Sequence, residues 1–492
     1  MARAATQPTF WVETLGCPKN VVDSDKVTAS LLADGLAPAV DPGAADLVVV
    51  NTCAFIEAAR RESIDVALAL AERRKPGARL VVTGCMAERY GVELADALPE
   101  VDAVVGFGGE GALAEAAGVP VRLLTRPTGV RDLLELPRAL PSAPWAYLKI
   151  AEGCDRACAF CAIPSFRGTQ RSRDPDALVD EARTLVAGGV AELVLVAQDL
   201  AWYGRDAGEV GALTPLLRRL DAELAPEGLA RIRLLYLYPS EVHDPLVAAM
   251  LDTPTVVPYF DLSLQHADRA LLARMKRWGS GERFLAMLDD IRTREPDAAF
   301  RSSFIVGFPG ETEDAHDALL DFLRDAALDW AGFFPFSMED GTPAATMDGG
   351  VAPELAAERL RECEDVQSPI TEAGRDALVR AGAEIEVLVD GVDAATGDAS
   401  GRTHREAPEI DGVVRLCRAT PEETELATST NGGGVVRLCR ATPEETELAT
   451  PTREGGVVRL EGAHARAGSV VRAKVTGSDG IDLVAEPIEV LP

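Results

Sequence analysis

The sequence predicts an α/β protein in three units. Three observations carry this: two successive stretches where short apolar strands alternate with amphipathic helices, a proline-rich join between them, and a final stretch of short strands alone. In the first unit, residues 1–126, Thr9–Leu15, Asp46–Asn51 and Arg79–Thr83 read as buried strands rich in Val and Leu. Ser24–Leu32 and Ala58–Glu72 between them have helical periodicity. This βαβα order predicts a doubly wound, mostly parallel sheet. Residues 127–144 carry Pro127, Pro137, Pro141 and Pro144 and read as a linker.

The alternation restarts in the second unit, residues 145–375. Tyr147–Ile150, Leu193–Val196, Ile232–Leu237, Phe260–Leu264 and Phe300–Val306 are expected parallel strands, each followed by a helical stretch. Length and repeat fit a full or partial (β/α) barrel, whose ligands sit at the carboxyl ends of its strands. In the third unit, residues 376–492, the expected strands are Glu384–Val389, Gly412–Leu416, Val457–Leu460, Ser469–Thr476 and Ile481–Ala485. Gly and Asp punctuate them, which predicts a small antiparallel β-barrel of the OB type.

That barrel is interrupted by a tandem repeat. Residues Gly412–Thr428 recur without change as Gly434–Thr450, and a partial third copy begins at Gly456. Two copies of one strand cannot occupy one position in a barrel. Residues around 412–455 are therefore read as a duplicated insertion looped out of it, since a solenoid needs at least three full repeats.

Across 492 residues, 47% hydrophobic content supports a sizeable core. Met1–Thr9 carries one Arg and no apolar run, so no secretory leader is expected, and no stretch is long and apolar enough to span a membrane. The expected location is the cytoplasm. Nine cysteines are far too few for a disulfide scaffold and suit metal or catalytic roles. With 49 Lys+Arg against 79 Asp+Glu, the net charge is −30. That is a poor start for binding nucleic acid, which rests on neutralising phosphates, and it suits a basic protein partner. Acidity for solubility alone is the other reading.

The strongest local signal is Cys154-Asp-Arg-Ala-Cys158-Ala-Phe-Cys161. Such a loop after a strand can set three thiolates around an iron–sulfur cubane and leave one iron open. Structural zinc is the alternative, but it usually takes four ligands in paired form and no fourth Cys or His follows nearby. A second set is dispersed. Cys17, Cys53 and Cys85 each lie just past the carboxyl end of an expected strand, where an open α/β sheet binds its ligands. Gly16 and Gly84 precede two of them and permit a tight turn. The alternative is three unrelated core cysteines. Cys363 reads as core, and Cys417 and Cys439, copies of one repeat position, receive no role.

At this point the residues resemble a known family. Cys154–Cys161 is similar to the cysteine loop of radical S-adenosylmethionine (SAM) enzymes, and Gly153–Gly168 around it resembles their methylthiotransferase branch. Cys17, Cys53 and Cys85 match that branch's amino-terminal domain, and the final barrel resembles its TRAM domain. Leu15–Asp25 and Ala162–Gly168 are closer to the subgroup that modifies a ribosomal protein than to the tRNA-modifying relatives, and Leu264–Ala267, Met275–Arg277 and Glu339–Pro343 also match family segments.

The resemblance implies two [4Fe-4S] clusters, one on Cys154, Cys158 and Cys161 and an auxiliary one on Cys17, Cys53 and Cys85. It implies SAM both as methyl donor and as radical source. The implied reaction adds a methylthio group to the β-carbon of an aspartate in the twelfth small-subunit ribosomal protein, a basic partner. The radical derived from SAM would remove an unactivated C–H hydrogen, which no general base can do.

Arg301–Glu311 resembles the family strand and glycine turn beside the nucleoside, which makes Gly307 and Gly310 candidate SAM contacts; an ordinary strand-to-helix turn is the alternative. Gln198 and Asp199 end an expected strand, so Gln198 is a candidate SAM contact, against helix capping by Asp199. His266 reads equally as a site residue or a core histidine. Trp202, Tyr203 and the run Phe333, Phe334 and Phe336 read as core packing.

Two other functions fit the cysteines: tRNA adenosine methylthiotransfer, and a non-catalytic iron–sulfur protein that docks on ribosomes. Residues 381–492 hold 11 Lys+Arg, 20 Asp+Glu and no Phe, Tyr or Trp. An RNA-binding barrel needs a positive groove with stacking aromatics, so tRNA is disfavoured. Two complete triads, each leaving an iron open, disfavour a passive scaffold.

Overall fold

The computed structural model describes residues 7–109, 113, 123–124, 134, 136–393, 398–417, 458–460 and 463–491. In the first unit β1 (Thr9–Thr14), α1 (Pro18–Ala33), β2 (Ala37–Pro38), β3 (Leu47–Thr52), α2 (Glu57–Arg73), β4 (Arg79–Gly84), α3 (Cys85–Ala97), β5 (Ala103–Val105) and β6 (Leu123–Leu124) follow one another. The sheet runs β2-β1-β3-β4-β5-β6 and every pairing is parallel. Strand alternation puts Val48, Val50, Leu80 and Val82 on one face, packed with Ala67 and Leu70 of α2 and Met86 and Leu94 of α3. Phe10, Val49 and Val81 face the other way onto Val27 and Leu31 of α1. Helices thus cover both faces, and strand order reverses between β1 and β3, the switch point of a doubly wound sheet.

The second unit holds β7 (Trp145–Lys149), β8 (Ala151–Glu152), α4 (Ile163–Arg167), β9 (Arg171–Ser172), β10 (Glu192–Val196), β11 (Arg231–Leu234), β12 (Tyr259–Gln265), β13 (Ala299–Val306) and β14 (Trp330–Pro335). Six parallel strands form two three-stranded sheets, β7-β10-β11 and β12-β13-β14. Two parallel bridges, Ile232 to Val256 and Leu237 to Leu262, join them into a partial barrel. Alternate residues Leu148, Leu193, Leu195, Phe260, Leu262 and Phe300 pack outward under the helices. Tyr147, Val194, Val196, Tyr259, Ala299 and Trp330 form the other face, and Val22 of α1 is buried among them. The first unit therefore fills part of the barrel with its own helix.

β14 went unrecognised in the sequence because Pro335 and exposed positions break its pattern. Its phenylalanines only partly match the expected core: Phe333 stacks on Phe304 at 5.7 Å, and Phe336 just beyond meets Phe308 edge-on at 5.2 Å, but Phe334 is 43% exposed. The helix Pro353–Ala381 crosses the expected boundary at 375 and ends on Gly382 in the left-handed conformation.

The third unit closes a five-stranded barrel, β15 (Glu384–Val392), β16 (Ala399–Arg402), β17 (Val414–Leu416), β21 (Asp482–Val490) and β20 (Val470–Asp479). It is not wholly antiparallel, because β17 pairs parallel to β21. A closed ring with an odd number of strands cannot alternate direction all the way round, so one parallel pair is required. Of the repeat, the first copy supplies β17, and the third supplies β18 (Val458–Leu460). The latter pairs with β19 (Ala463–Ala465) in a separate two-stranded sheet rather than in the barrel. The intervening copy, with Cys439, lies outside the described residues, as do 127–133 and 135 of the linker. The described part of that linker packs on α1, where Lys26 donates to the Leu134 carbonyl at 2.6 Å and Arg138 pairs with Asp25.

Third-unit residues dock at the amino-terminal ends of the barrel strands. Arg402 bridges Asp390 and Glu192 at 2.7 Å each, Arg233 also binds Glu192 at 2.7 Å, and Tyr259 donates to Asp411 at 2.6 Å. The carboxyl ends are left for the first unit. Among the described residues no helix is long and apolar enough to cross a membrane.

Candidate functional site

Parallel register brings the dispersed cysteines to one edge. Thr14 pairs with Asn51 and Thr52 with Gly84, so Cys53 and Cys85 are level and Cys17 follows one position later. Cys17 caps α1, Cys53 follows β3, and Cys85 opens α3. Cys17 and Cys53 thus flank the switch point, the crevice where such sheets bind ligands. The turns are tight. A Cβ on Gly84, at φ +89°, would lie 2.2 Å from Asn51 Oδ1 and 2.7 Å from the Thr52 carbonyl oxygen, and one on Gly16 would lie 2.7 Å from Cys53 Cβ.

The loop cysteines follow β8. Gly153 stands at φ +81°, and a Cβ there would meet the Thr169 carbonyl at 2.1 Å, so only glycine lets the loop start this close to β9. The Cys154 amide donates to the Gly168 carbonyl at 3.1 Å. The Ala159 amide donates to Met275, and Ala344 donates back to Ala159, both at 2.9 Å. Sulfur atoms receive donors as well: the Arg156 amide to Cys154 at 3.4 Å and Arg277 to Cys158 at 3.3 Å.

Burial pushes the thiols of Cys85 and Cys161 up to about 12 and that of Cys154 to about 11. Unligated, such groups are poor nucleophiles, whereas a coordinating metal deprotonates a thiol outright. Among the described residues no three His, Cys, Asp or Glu side chains close on a single metal ion. A cubane holds its thiolates on separate irons and accepts a wider spread, so both donor sets, three soft sulfurs with cationic or amide donors beside them, fit such a cluster.

Around these triads, Arg156 sits 3.9 Å from the Trp202 ring and 4.0 Å from the Tyr238 ring, and it pairs with Asp199 at 2.7 Å. Asp199 therefore binds the cysteine loop, and its side chain makes no capping hydrogen bond to the turn Leu200–Trp202 that it precedes. Gln198 donates to Glu152, while its buried Oε1 has no hydrogen-bond partner among the described residues. The two candidate glycines have packing reasons for their identity. A Cβ on Gly307 would lie 2.6 Å from Ala356 Cβ, and one on Gly310 would lie 2.7 Å from Arg274 Nε. His266 is fully buried, its Nδ1 accepts from the Asp268 amide at 3.0 Å, and its Nε2 lies 3.5 Å from Glu311. Tyr203 is buried and donates to the Arg173 carbonyl at 2.8 Å. Cys363 is buried in the barrel core.

Known proteins match all three units. The uncharacterized protein family UPF0004 matches residues 9–106, the radical SAM superfamily residues 148–323, and the TRAM domain residues 381–439. A Kineococcus radiotolerans protein named ribosomal protein uS12 methylthiotransferase RimO is 40% identical over 514 residues, covering 96% of each chain. Its namesake from Moorella thermoacetica is 45% identical over 407 residues, 82% of this chain and 91% of the relative. That from Cutibacterium acnes is 37% identical over 530 residues, 99% of each. This chain belongs to the RimO family of radical SAM methylthiotransferases. In fold, it is similar to the radical SAM methyltransferase TsrM from Kitasatospora setae, with a TM-score of 0.50 at 15% identity, covering 69% of this chain and 77% of that one.

The segments that carried the RimO-family resemblance meet around the loop. Met275 braces Ala159, Arg277 reaches Cys158, and Glu339 receives Arg60 at 2.5 Å and Arg89 at 2.7 Å from the first unit. Sequence reasoning gave no role to Asp23, Lys149, Glu152 or Arg167, which form a buried ionic cluster between the units. The available signal was charge inside apolar stretches, such as Lys149 ending Trp-Ala-Tyr-Leu-Lys.

Proposed function

We propose that this chain methylthiolates an aspartate β-carbon of ribosomal protein uS12. In this reading Cys154, Cys158 and Cys161 hold one [4Fe-4S] cluster and Cys17, Cys53 and Cys85 the other. The observation that carries it is one cysteine triad after the strand ends at a switch point and another in the loop beyond the first barrel strand, with Arg167 touching Cys85 of the first and Glu152 just before the second. When bound, the loop cluster supplies the electron that cleaves SAM and so starts removal of the substrate hydrogen, and the auxiliary cluster supplies the site for the sulfur that is transferred.

The chain's own residues hold and orient. Arg277 and the Arg156 amide fix Cys158 and Cys154. The Oε1 of Gln198, without a partner among the described residues, offers an acceptor for a donor group of SAM, a role better supported than any for Gly307 and Gly310. The net charge of −30 favours approach of a basic protein.

Mass spectrometry of ribosomal proteins and of tRNA, from cells with and without the gene, tests the substrate. Gain of CH2S on uS12 only when the gene is present is expected. The same gain on tRNA, with none on uS12, would overturn the reading.

A further inference from the structure

Arg167 ends α4, six residues past Cys161, and its side chain is buried. Its Nη1 donates to Glu152 at 2.8 and 2.9 Å, and Glu152 immediately precedes Gly153 and Cys154. Its Nη2 donates to Asn20 Oδ1 at 2.8 Å and to Cys85 Sγ at 3.0 Å, and its Nε lies 3.3 Å from the same sulfur. Asp23 stands 3.3 Å away, and the ring of Phe107 lies 4.7 Å from the guanidinium carbon. One planar side chain from the radical loop thus holds a carboxylate before one triad and a sulfur of the other.

The charges decide what this contact does. Asp23 and Glu152 are matched by Lys149 and Arg167, so the buried quartet is neutral without any cluster. Arg167 therefore brings little uncompensated charge to Cys85. What it brings is two N–H donors aimed at one sulfur in a fixed fork, a geometry lysine cannot reproduce. Hydrogen bonds to cluster sulfurs tune reduction potentials, and such partners orient the ligands they touch.

We infer that Arg167 is a positioning residue for the auxiliary site: it fixes Cys85 against the radical loop and raises the reduction potential of the cluster on Cys17, Cys53 and Cys85. This rests on the reading that those cysteines hold a cluster.

The test uses the full-length protein, reconstituted anaerobically and titrated with reductant while each cluster is followed by electron paramagnetic resonance. A Cys154→Ala/Cys158→Ala/Cys161→Ala background isolates the auxiliary signal. Arg167→Lys keeps the charge and loses the fork. Arg167→Met/Glu152→Gln removes an ion pair together, so the quartet stays neutral if the single variant folds poorly. Both are expected to shift the auxiliary midpoint potential downward and to leave the loop cluster's potential unchanged in the protein that carries both. An unmoved auxiliary potential in both variants, or equal shifts in both clusters, would overturn the inference. A wild-type protein that binds about four irons and shows one signal would instead sink the underlying reading, and the inference with it.

Discussion

The two cysteine triads reach similar surroundings by opposite routes. Cys154, Cys158 and Cys161 share one loop, braced by backbone hydrogen bonds to Gly168, Met275 and Ala344. Cys17, Cys53 and Cys85 belong to three strand–helix units and meet only because β1, β3 and β4 pair in parallel register. A loop is specified by spacing and can be read from a short string of residues. A strand-end triad is specified by the sheet, and any register slip would scatter it. The contrast predicts that the triads fail differently.

The largest expected effect comes from the cysteines themselves. Cys158→Ala should abolish both 5′-deoxyadenosine formation and methylthiolation. Cys85→Ala should abolish methylthiolation while SAM cleavage persists, as measured by chromatography of the nucleoside and mass spectrometry of uS12. If Cys85→Ala also stopped SAM cleavage, the division of labour would be wrong.

Next come the glycines that set each triad. Gly84→Ala puts a Cβ against Asn51 and Thr52, and Gly153→Ala puts one against Thr169. Iron analysis should show each variant losing about one cluster of four irons, its own, at a backbone cost of about 1–3 kcal/mol. Loss of both clusters from either variant would mean that the triads are not built independently.

The buried quartet joins the two regions, so breaking it should cost stability before chemistry. Lys149→Met leaves Asp23 and Glu152 with one cation between them, and denaturant unfolding should show a loss of about 3–5 kcal/mol. A loss under about 1 kcal/mol would contradict the buried pairing.

The smallest effect lies away from both triads. His316 sits 2.8 Å from Glu362 and 3.6 Å from Glu311. Burial lowers its pKa, but the nearby Glu311 carboxylate and the hydrogen bond with Glu362 outweigh this and hold it above the usual 6.5. Because the folded value is raised, its stabilisation is fully present below about pH 6.5 and lost as pH rises through the folded value. The melting-temperature gap between wild type and His316→Gln should therefore be wider at acid pH than at alkaline pH. A gap independent of pH would show that the histidine stays neutral.

Much of this was legible in the sequence. Val- and Leu-rich runs located β3, β4 and β10 to within a residue or two, since buried parallel strands are apolar throughout. Short or mixed strands such as β5, β14 and β16 were missed, because three or four residues or a half-exposed face carry little pattern. The compact cysteine loop was legible from spacing, and the dispersed triad from its position after strands. Arg167 was not, because an arginine in Ile-Pro-Ser-Phe-Arg looks like a surface residue until tertiary packing places Cys85 beside it. The parallel pair in the last barrel follows from ring closure, which no single strand reveals.

The central claim is that both triads hold clusters of the same kind. Anaerobic reconstitution of the wild-type protein, followed by iron and sulfide analysis and Mössbauer spectroscopy, tests it most directly. Two cubanes predict about eight irons and about eight sulfides per chain, falling by about half in Cys85→Ala and in Cys158→Ala alike. About four irons in the wild type, unchanged in Cys85→Ala, would contradict the account.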